Sequence, residues 1–154
     1  MKNEIWSWIG DLSQVAGIKH YELRSGRAKG TEAFDVRTGA GLAFTVVKDR
    51  ALDIAWASYK DTALSFITPN GIVAPAFFES HGNGFLRSFY AGLLTTCGLS
   101  YIGTPCEDDG ETLGLHGRLA ATPAEEVGYR TERTDDGIEF VINGKVRETR
   151  LFGE

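Results

Sequence analysis

No stretch of eighteen apolar residues occurs in this chain, so nothing in it reads as a membrane-spanning helix. No Lys/Arg-rich run occurs either. Sixteen basic residues stand against twenty-one acidic ones, for a net charge of -5. That balance argues against nucleic acid as a partner, because such binders carry a basic excess on one face. Met1-Lys2-Asn3-Glu4 lacks the basic start and uninterrupted apolar core of a signal peptide. Cysteine is scarce, with only Cys97 and Cys106 present. Together these point to a cytoplasmic protein with two reduced, partly buried thiols. Also missing are a Gly-x-Ser-x-Gly elbow, a phosphate-cradling glycine loop ending in Lys-Ser/Thr, and a dinucleotide fingerprint. Cys97, Cys106 and His116 do not have the short paired spacing of a structural zinc site, so no metal is expected.

Glycine, by contrast, is abundant. Nineteen glycines are present where an average chain of this length carries about eleven. They are spread along the chain, as the turns of a multi-stranded β fold require. At 154 residues the chain has the size of one ordinary domain, and no repeat or low-complexity linker divides it.

Ile5, Trp8, Ile9 and Leu12 fall at i, i+3, i+4 and i+7, with Asn3 as N-cap and Gly17 as stop, which predicts a helix over residues 1–16. From Ile18 the period changes to two. Strands are expected over Ile18–Arg24, Ala33–Thr38, Leu42–Val47, Ala51–Tyr59 and Thr62–Ile67. Pro69-Asn70-Gly71 is a turn by composition. Phe77–Gly84 reads as a looser segment with one helical turn. Phe85–Leu94 and Gly98–Ile102 read as short buried strands, and Pro105–Gly110 as an acidic loop. A meander follows over Glu125–Thr134, Ile138–Ile142 and Lys145–Phe152, with hairpin turns at Asp136-Gly137 and Asn143-Gly144. A long last strand leaves an open sheet edge, the mark of a chain that normally continues.

Chemistry concentrates between Arg87 and Arg118. His116 lies between two glycines in Gly114-Leu115-His116-Gly117-Arg118, an arrangement that fixes its backbone and frees its ring to face a cleft. Imidazole exchanges protons near neutral pH, which suits acid–base work or hydroxyl recognition; the plainer alternative is a hydrogen bond to a loop carbonyl. Arg87 falls in an apolar segment read as a strand, where a permanent charge needs acceptors. Its guanidinium fork matches vicinal oxygens of a polyol or a carboxylate, and an ion pair with Asp53 or Glu79 is the structural alternative. Arg50 and Asp53 raise the same ambiguity; in a strand, three residues apart, they would point to opposite faces. His81, in a glycine-rich loop, is a further candidate for the same cleft, whereas His20 reads as a surface residue.

Five ordered motifs carry a family resemblance: Gly10-Asp11-Leu12-Ser13-Gln14, Asp49-Arg50-x-x-Asp53-Ile54, Phe85-Leu86-Arg87-Ser88-Phe89, Gly92-Leu93-Leu94-Thr95-Thr96-Cys97-Gly98-Leu99 and Gly114-Leu115-His116-Gly117-Arg118. Over residues 10–126 the chain resembles a bacterial branch of the aldose 1-epimerase (galactose mutarotase-like) superfamily. It departs from that branch at Ala51 and Ala91, where glycine is expected. The resemblance implies a mainly β fold: the front part, residues 17–154, of an antiparallel β-supersandwich with a carbohydrate cleft. It implies that His116 hydrogen-bonds the sugar near its anomeric centre and that Arg87 contacts sugar hydroxyls; beside these, Arg118, Arg50 and His81 are further substrate-binding candidates. It implies no cofactor. Mutarotation needs a base for the C1 hydroxyl proton and an acid for the ring oxygen; in the superfamily a glutamate and a second histidine from the later half of the chain supply them. Glu107, Glu111 and Glu125 do not match that base.

Two readings follow. One is an epimerase-like isomerase whose catalytic pair comes from a C-terminal half. The other is a sugar-binding or structural remnant that self-associates, with a homodimer as the expected form. A monosaccharide or sugar derivative is the expected partner, with phosphosugars and uronic acids also suited to an Arg/His cleft.

Overall fold

A computed structural model describes residues 7–151. The first four strands, β1 (Gly17–Glu22), β2 (Glu32–Arg37), β3 (Leu42–Val47) and β4 (Asp53–Tyr59), lie where the period-two pattern places them. With the two-residue β5 (Thr62–Ala63) they form one antiparallel sheet in sequential order. Then come the short strands β6 (Phe66–Ile67) and β7 (Ala91–Gly92), which pair with each other. The hairpin β8 (Cys106–Asp108) and β9 (Glu111–Leu113) replaces the expected acidic loop. Two longer strands, β10 (Glu125–Thr134) and β11 (Gly137–Lys145), close the described fold as a second hairpin.

Apolar residues of the main sheet are packed on both of its faces. On one side Val47 and Ala55 pack with Ile72 and Tyr90 from the irregular segment that follows β6. On the other, Tyr129 of β10 packs on Phe34 at 5.3 Å between ring centroids and meets the edge of His20 at 6.1 Å. Phe140 and Ile142 of β11 line an apolar crevice with Val36, Phe44, Val46 and Ile54. A bulge in β4 sets Ile54 opposite Val46 and Ala57 opposite Phe44, so two residues of β4, Ala55 and Trp56, face the single Thr45 of β3.

Several expectations change. Ile5 lies outside the described residues, and from residue 7 to 16 only 3-10 turns occur, so the N-terminal helix is not present there. Asp11 accepts a hydrogen bond from the Ser13 N–H while the Gln14 side chain accepts from the Asp11 N–H, a capping box that starts a new turn at Leu12. Trp8 is exposed rather than core. Phe85–Leu94 is not a strand: Gly84–Arg87 is a 3-10 turn and only Ala91–Gly92 is extended and paired. Gly98–Ile102 reduces to a single bridge between Gly98 and Tyr101. At Asn143-Gly144 the chain does not reverse, because β11 runs through it to Lys145 with Asn143 opposite Gly128. Both cysteines are free and exposed, not partly buried.

The two positions where alanine replaces an expected glycine have glycine-like backbones. Ala51 has φ 53° and Ala91 has φ 66°, in the left-handed region where a Cβ crowds the carbonyl oxygen. Relief of this strain exceeds the entropy that a glycine loses on folding. Ala91→Gly is therefore expected to stabilise the fold by about 0.5–1 kcal/mol. Urea denaturation reads this directly, and an unchanged or lower midpoint would contradict it.

Candidate functional site

His116 adopts φ 58° and Gly117 φ 72°, so the chain turns sharply at the imidazole. Left-handed geometry at a non-glycine residue costs free energy and persists where surrounding contacts enforce it. Those contacts are on both sides of the turn. The His116 N–H donates to the Gly103 carbonyl at 2.9 Å, and the Leu115 N–H donates to the Gly82 carbonyl at 3.0 Å. A Cβ on Gly114 would sit 2.0 Å from the Ser80 carbonyl oxygen, and one on Gly117 would sit 2.8 Å from that of Tyr101. Only glycine lets these backbones approach so closely, which is why the histidine is bracketed by glycines. The imidazole, half-buried, presents itself to the edge of Phe85 with ring centroids 5.3 Å apart. Its Nδ1 is buried and has no hydrogen-bond partner among the described residues.

The same loops carry two of the other candidates. His81 is exposed, and its Nδ1 lies 3.2 Å from the Ser80 Oγ. Arg87, on the 3-10 turn Gly84–Arg87, is exposed and pairs with Glu79 at 2.5 Å, next to the Ser80 carbonyl that abuts Gly114. Of the two ion pairs open to Arg87, the one with Glu79 forms. Its charge needs no buried acceptors, because the segment is not a strand and the side chain stands in solvent. Arg118 heads the 3-10 turn Leu119–Ala121 and is exposed. His81, Arg87 and His116 thus lie on one cluster of loops rather than on a concave sheet surface. A cleft of about 670 Å³ does open on the main sheet, but its lining includes Lys19, Asp35, Thr45, Trp56 and Ser65 and none of the candidate residues.

Arg50 does not belong to a solvent-facing site. It is 1% exposed and lies in the turn before β4, not in a strand. Its Nη1 donates to the Val73 carbonyl at 2.9 Å and to the Ser88 carbonyl at 3.1 Å, and its Nε donates to the Ala120 carbonyl. The Tyr90 ring sits 5.1 Å from the guanidinium carbon. Because Arg50 precedes the strand, it and Asp53 share one buried environment instead of pointing to opposite faces. Asp53 accepts from the Thr96 N–H and, at 3.2 Å, from the Tyr90 hydroxyl. Burial pushes the Asp53 carboxyl up to about 6, against the hydrogen bonds from Thr96 and the Arg50 charge that lower it. Burial likewise raises the Tyr90 phenol well above its ordinary range. The anchoring role of Asp53 and Tyr90 was not legible beforehand. A charged Arg-x-x-Asp at the mouth of a strand, flanked by apolar residues, is the signal that could have pointed to it.

Arg50→Lys is expected to destabilise the fold by about 2–4 kcal/mol, since an ammonium cannot serve three divergent carbonyls and buried acceptors are left unpaired. Arg87→Lys, at an exposed pair, should cost less than about 1 kcal/mol. Chemical denaturation of both variants tests the contrast, and equal losses would refute it.

Comparison with known proteins bears on the fold and the family. A crystal structure from Klebsiella pneumoniae subsp. pneumoniae, described as that of a putative aldose 1-epimerase, superposes with a TM-score of 0.79 at 25% sequence identity. The match covers 88% of this chain and 36% of that one, so this chain spans little more than a third of that protein's length. The resemblance to the aldose 1-epimerase fold is thereby upheld. No curated protein matches the chain. Residues 28–154 match a family model described as a domain of unknown function, DUF4432. These residues include Arg50, His81, Arg87, His116 and Arg118, so every candidate site residue falls within the match, and the chain belongs to the DUF4432 family.

Proposed function

We propose that the loops around His116 form the front part of a monosaccharide site of aldose 1-epimerase type. The observation that carries this reading is His116 itself. Its backbone is held left-handed by glycine contacts on both sides, and its Nδ1 is left without a protein partner. A neutral imidazole offers one donor and one acceptor, which is what a sugar hydroxyl beside the anomeric carbon requires. Arg87, already neutralised by Glu79, presents a planar fork that spans vicinal hydroxyls, with His81 on the adjoining loop. Arg118 is the remaining solvent-facing contact. The fold shared with a protein described as an aldose 1-epimerase supports the same assignment.

In anomer exchange, the C1 hydroxyl loses its proton as the ring oxygen gains one, the ring opens, and it recloses on the other face after rotation about C1–C2. His116 hydrogen-bonds the sugar at C1 and orients it; the partner acid and base come from a C-terminal half. A second reading, binding without turnover, is favoured by how the glutamates here are engaged. Glu79 pairs with Arg87, Glu111 with Arg150 and Glu125 with Arg147, and Glu107 accepts from Thr112. Self-association belongs to this second reading, since Phe66, Leu94, Leu99 and Ile102 are each more than half exposed. No helix among the described residues is long and apolar enough to cross a membrane, in keeping with a cytoplasmic location.

Polarimetry or NMR saturation exchange on α-glucose and α-galactose tests the first reading. Acceleration over buffer is expected of a form that also carries the partner acid and base, and there His116→Ala should lower it by about 10²–10³-fold. Binding without acceleration would establish the second reading, and the absence of both would defeat the sugar site. For self-association, light scattering should show a dimer that Phe66→Lys converts to monomer; a monomer at high concentration excludes it.

A further inference from the structure

We propose that Arg50, Asp53 and Tyr90 form a positioning unit for the His116 site, and that protonation of Asp53 unlatches the Thr95–Leu99 segment from it. This deepens, and rests on, the reading of the loop cluster as a sugar site.

The geometry is specific to that role. One guanidinium reaches three carbonyls that are distant in sequence. Ser88 follows Arg87, Ala120 lies two residues past Arg118, and Val73 belongs to the segment that covers the sheet. The loops that carry Arg87 and His116 are thus tied to one charge buried beneath them. The remaining loop is tied by Asp53, whose Oδ1 accepts from the Thr96 N–H. Its Oδ2 accepts from the Tyr90 hydroxyl, and Tyr90 leads into β7. Thr96 stands in the stretch that leads to Gly98, whose carbonyl lies 3.7 Å from where a Cβ on Gly117 would sit. The chain of contacts therefore runs from the carboxylate to the turn that holds the imidazole.

The bond to Thr96 is charge-assisted only while Asp53 is ionised, and a neutral acceptor holds a backbone amide about half as strongly. Burial places the Asp53 titration at about 6, inside the working range of most enzymes. The charged or titratable side chains that act on it are Arg50 and Tyr90, and neither changes state between pH 5 and 8. Latching is thus governed by a single proton.

Local and global effects have opposite signs. The folded-state value of about 6 exceeds that of an unfolded aspartate, so the native state binds the extra proton between about pH 4 and 6. Taken alone, Asp53 makes the fold more stable at the acid end of that window and less stable as pH rises through 6. Loosening of Thr96 on acidification is therefore not general acid unfolding.

Amide exchange of the intact chain by NMR, at pH 5 to 7.5, separates the possibilities. The Thr96 amide should show a protection factor about tenfold lower below pH 6 than above it. Amides of β2 and β3 should show no such step. Asp53→Asn, which is neutral at every pH, should abolish the step, keep Thr96 weakly protected throughout, and leave the urea midpoint equal to or above wild type at pH 7. Should that variant not fold, the wild-type Asp53 carboxyl 13C shift is read instead, with its midpoint expected near 6. A flat Thr96 profile, a step that survives in Asp53→Asn, or a carboxyl that does not titrate between pH 5 and 7 overturns the latch. Titration with α-galactose at pH 5.5 and 7.5 then reads the site itself. Affinity should fall on the acid side in wild type and lose that added fall in Asp53→Asn. If no sugar binds at either pH, the sugar reading fails while the exchange result still decides the latch.

Discussion

The buried guanidinium of Arg50 is the constraint on which the candidate site depends. A charge that is 1% exposed persists only where acceptors replace its hydration, and here three backbone carbonyls do so. Each carbonyl belongs to a stretch with little regular structure of its own. Chain held by neither helix nor sheet needs other partners for its polar groups, and one fixed five-donor group supplies them at several points together. This explains why so much irregular chain between β6 and β10 can be placed against the main sheet. The Tyr90 ring over the guanidinium and the Asp53 carboxylate beside it complete the same environment.

The sheet provides the platform on which this unit stands. Asp53 is the first residue of β4 and pairs with Val47 across β3, so the regular register of β2, β3 and β4 fixes its position. In β2 and β3 the residues Ala33, Phe34, Val36, Val46 and Val47 are buried, and Val47 packs against Ile72 and Tyr90 of the covering segment. The β10–β11 hairpin contributes from the far side, where Tyr129 packs on Phe34 and Phe140 lines a crevice with Val36 and Leu94. The loop side of the sheet thus carries both packing and site geometry, while the hairpin covers the far side.

Legibility in the sequence followed the same division. Strands β1 to β4 and β10 could be read because a half-buried strand imposes period two on its residues. From Phe77 to Ala121 the chain obeys another rule. There Phe85 and Tyr90 are buried while Leu86, Leu93 and Leu94 are exposed, and the apolar residues mark packing points of loops rather than one face of a strand. For that reason Phe85–Leu94 and Gly98–Ile102 read as strands in the sequence and are not strands in the fold. Asn143-Gly144 is instructive in the same way: its turn propensity is local, whereas the pairing of β11 with β10 on both sides of it is not. His116 was legible because its constraint, a glycine on either side, is adjacent in sequence. Arg50 was legible as unusual but not as buried, since its three acceptors are supplied by residues 73, 88 and 120.

A loop-borne imidazole raises the question of how it can be held well enough for chemistry. Functional groups on strands inherit precision from the ladder, whereas those on loops need their own anchors. Around His116 the anchors are backbone contacts: its own N–H on the Gly103 carbonyl, the Leu115 N–H on Gly82, and glycine-only approaches at Gly114 and Gly117. None of these involves the imidazole, so the backbone is held without engaging the ring. The loops that provide the anchors are in turn fixed by Arg50 and Asp53, which lie below and do not compete for the same ligand. Separating the groups that position from the group that binds lets a flexible stretch of chain carry a rigid site. It also makes the site sensitive to the one buried carboxyl that titrates near neutrality.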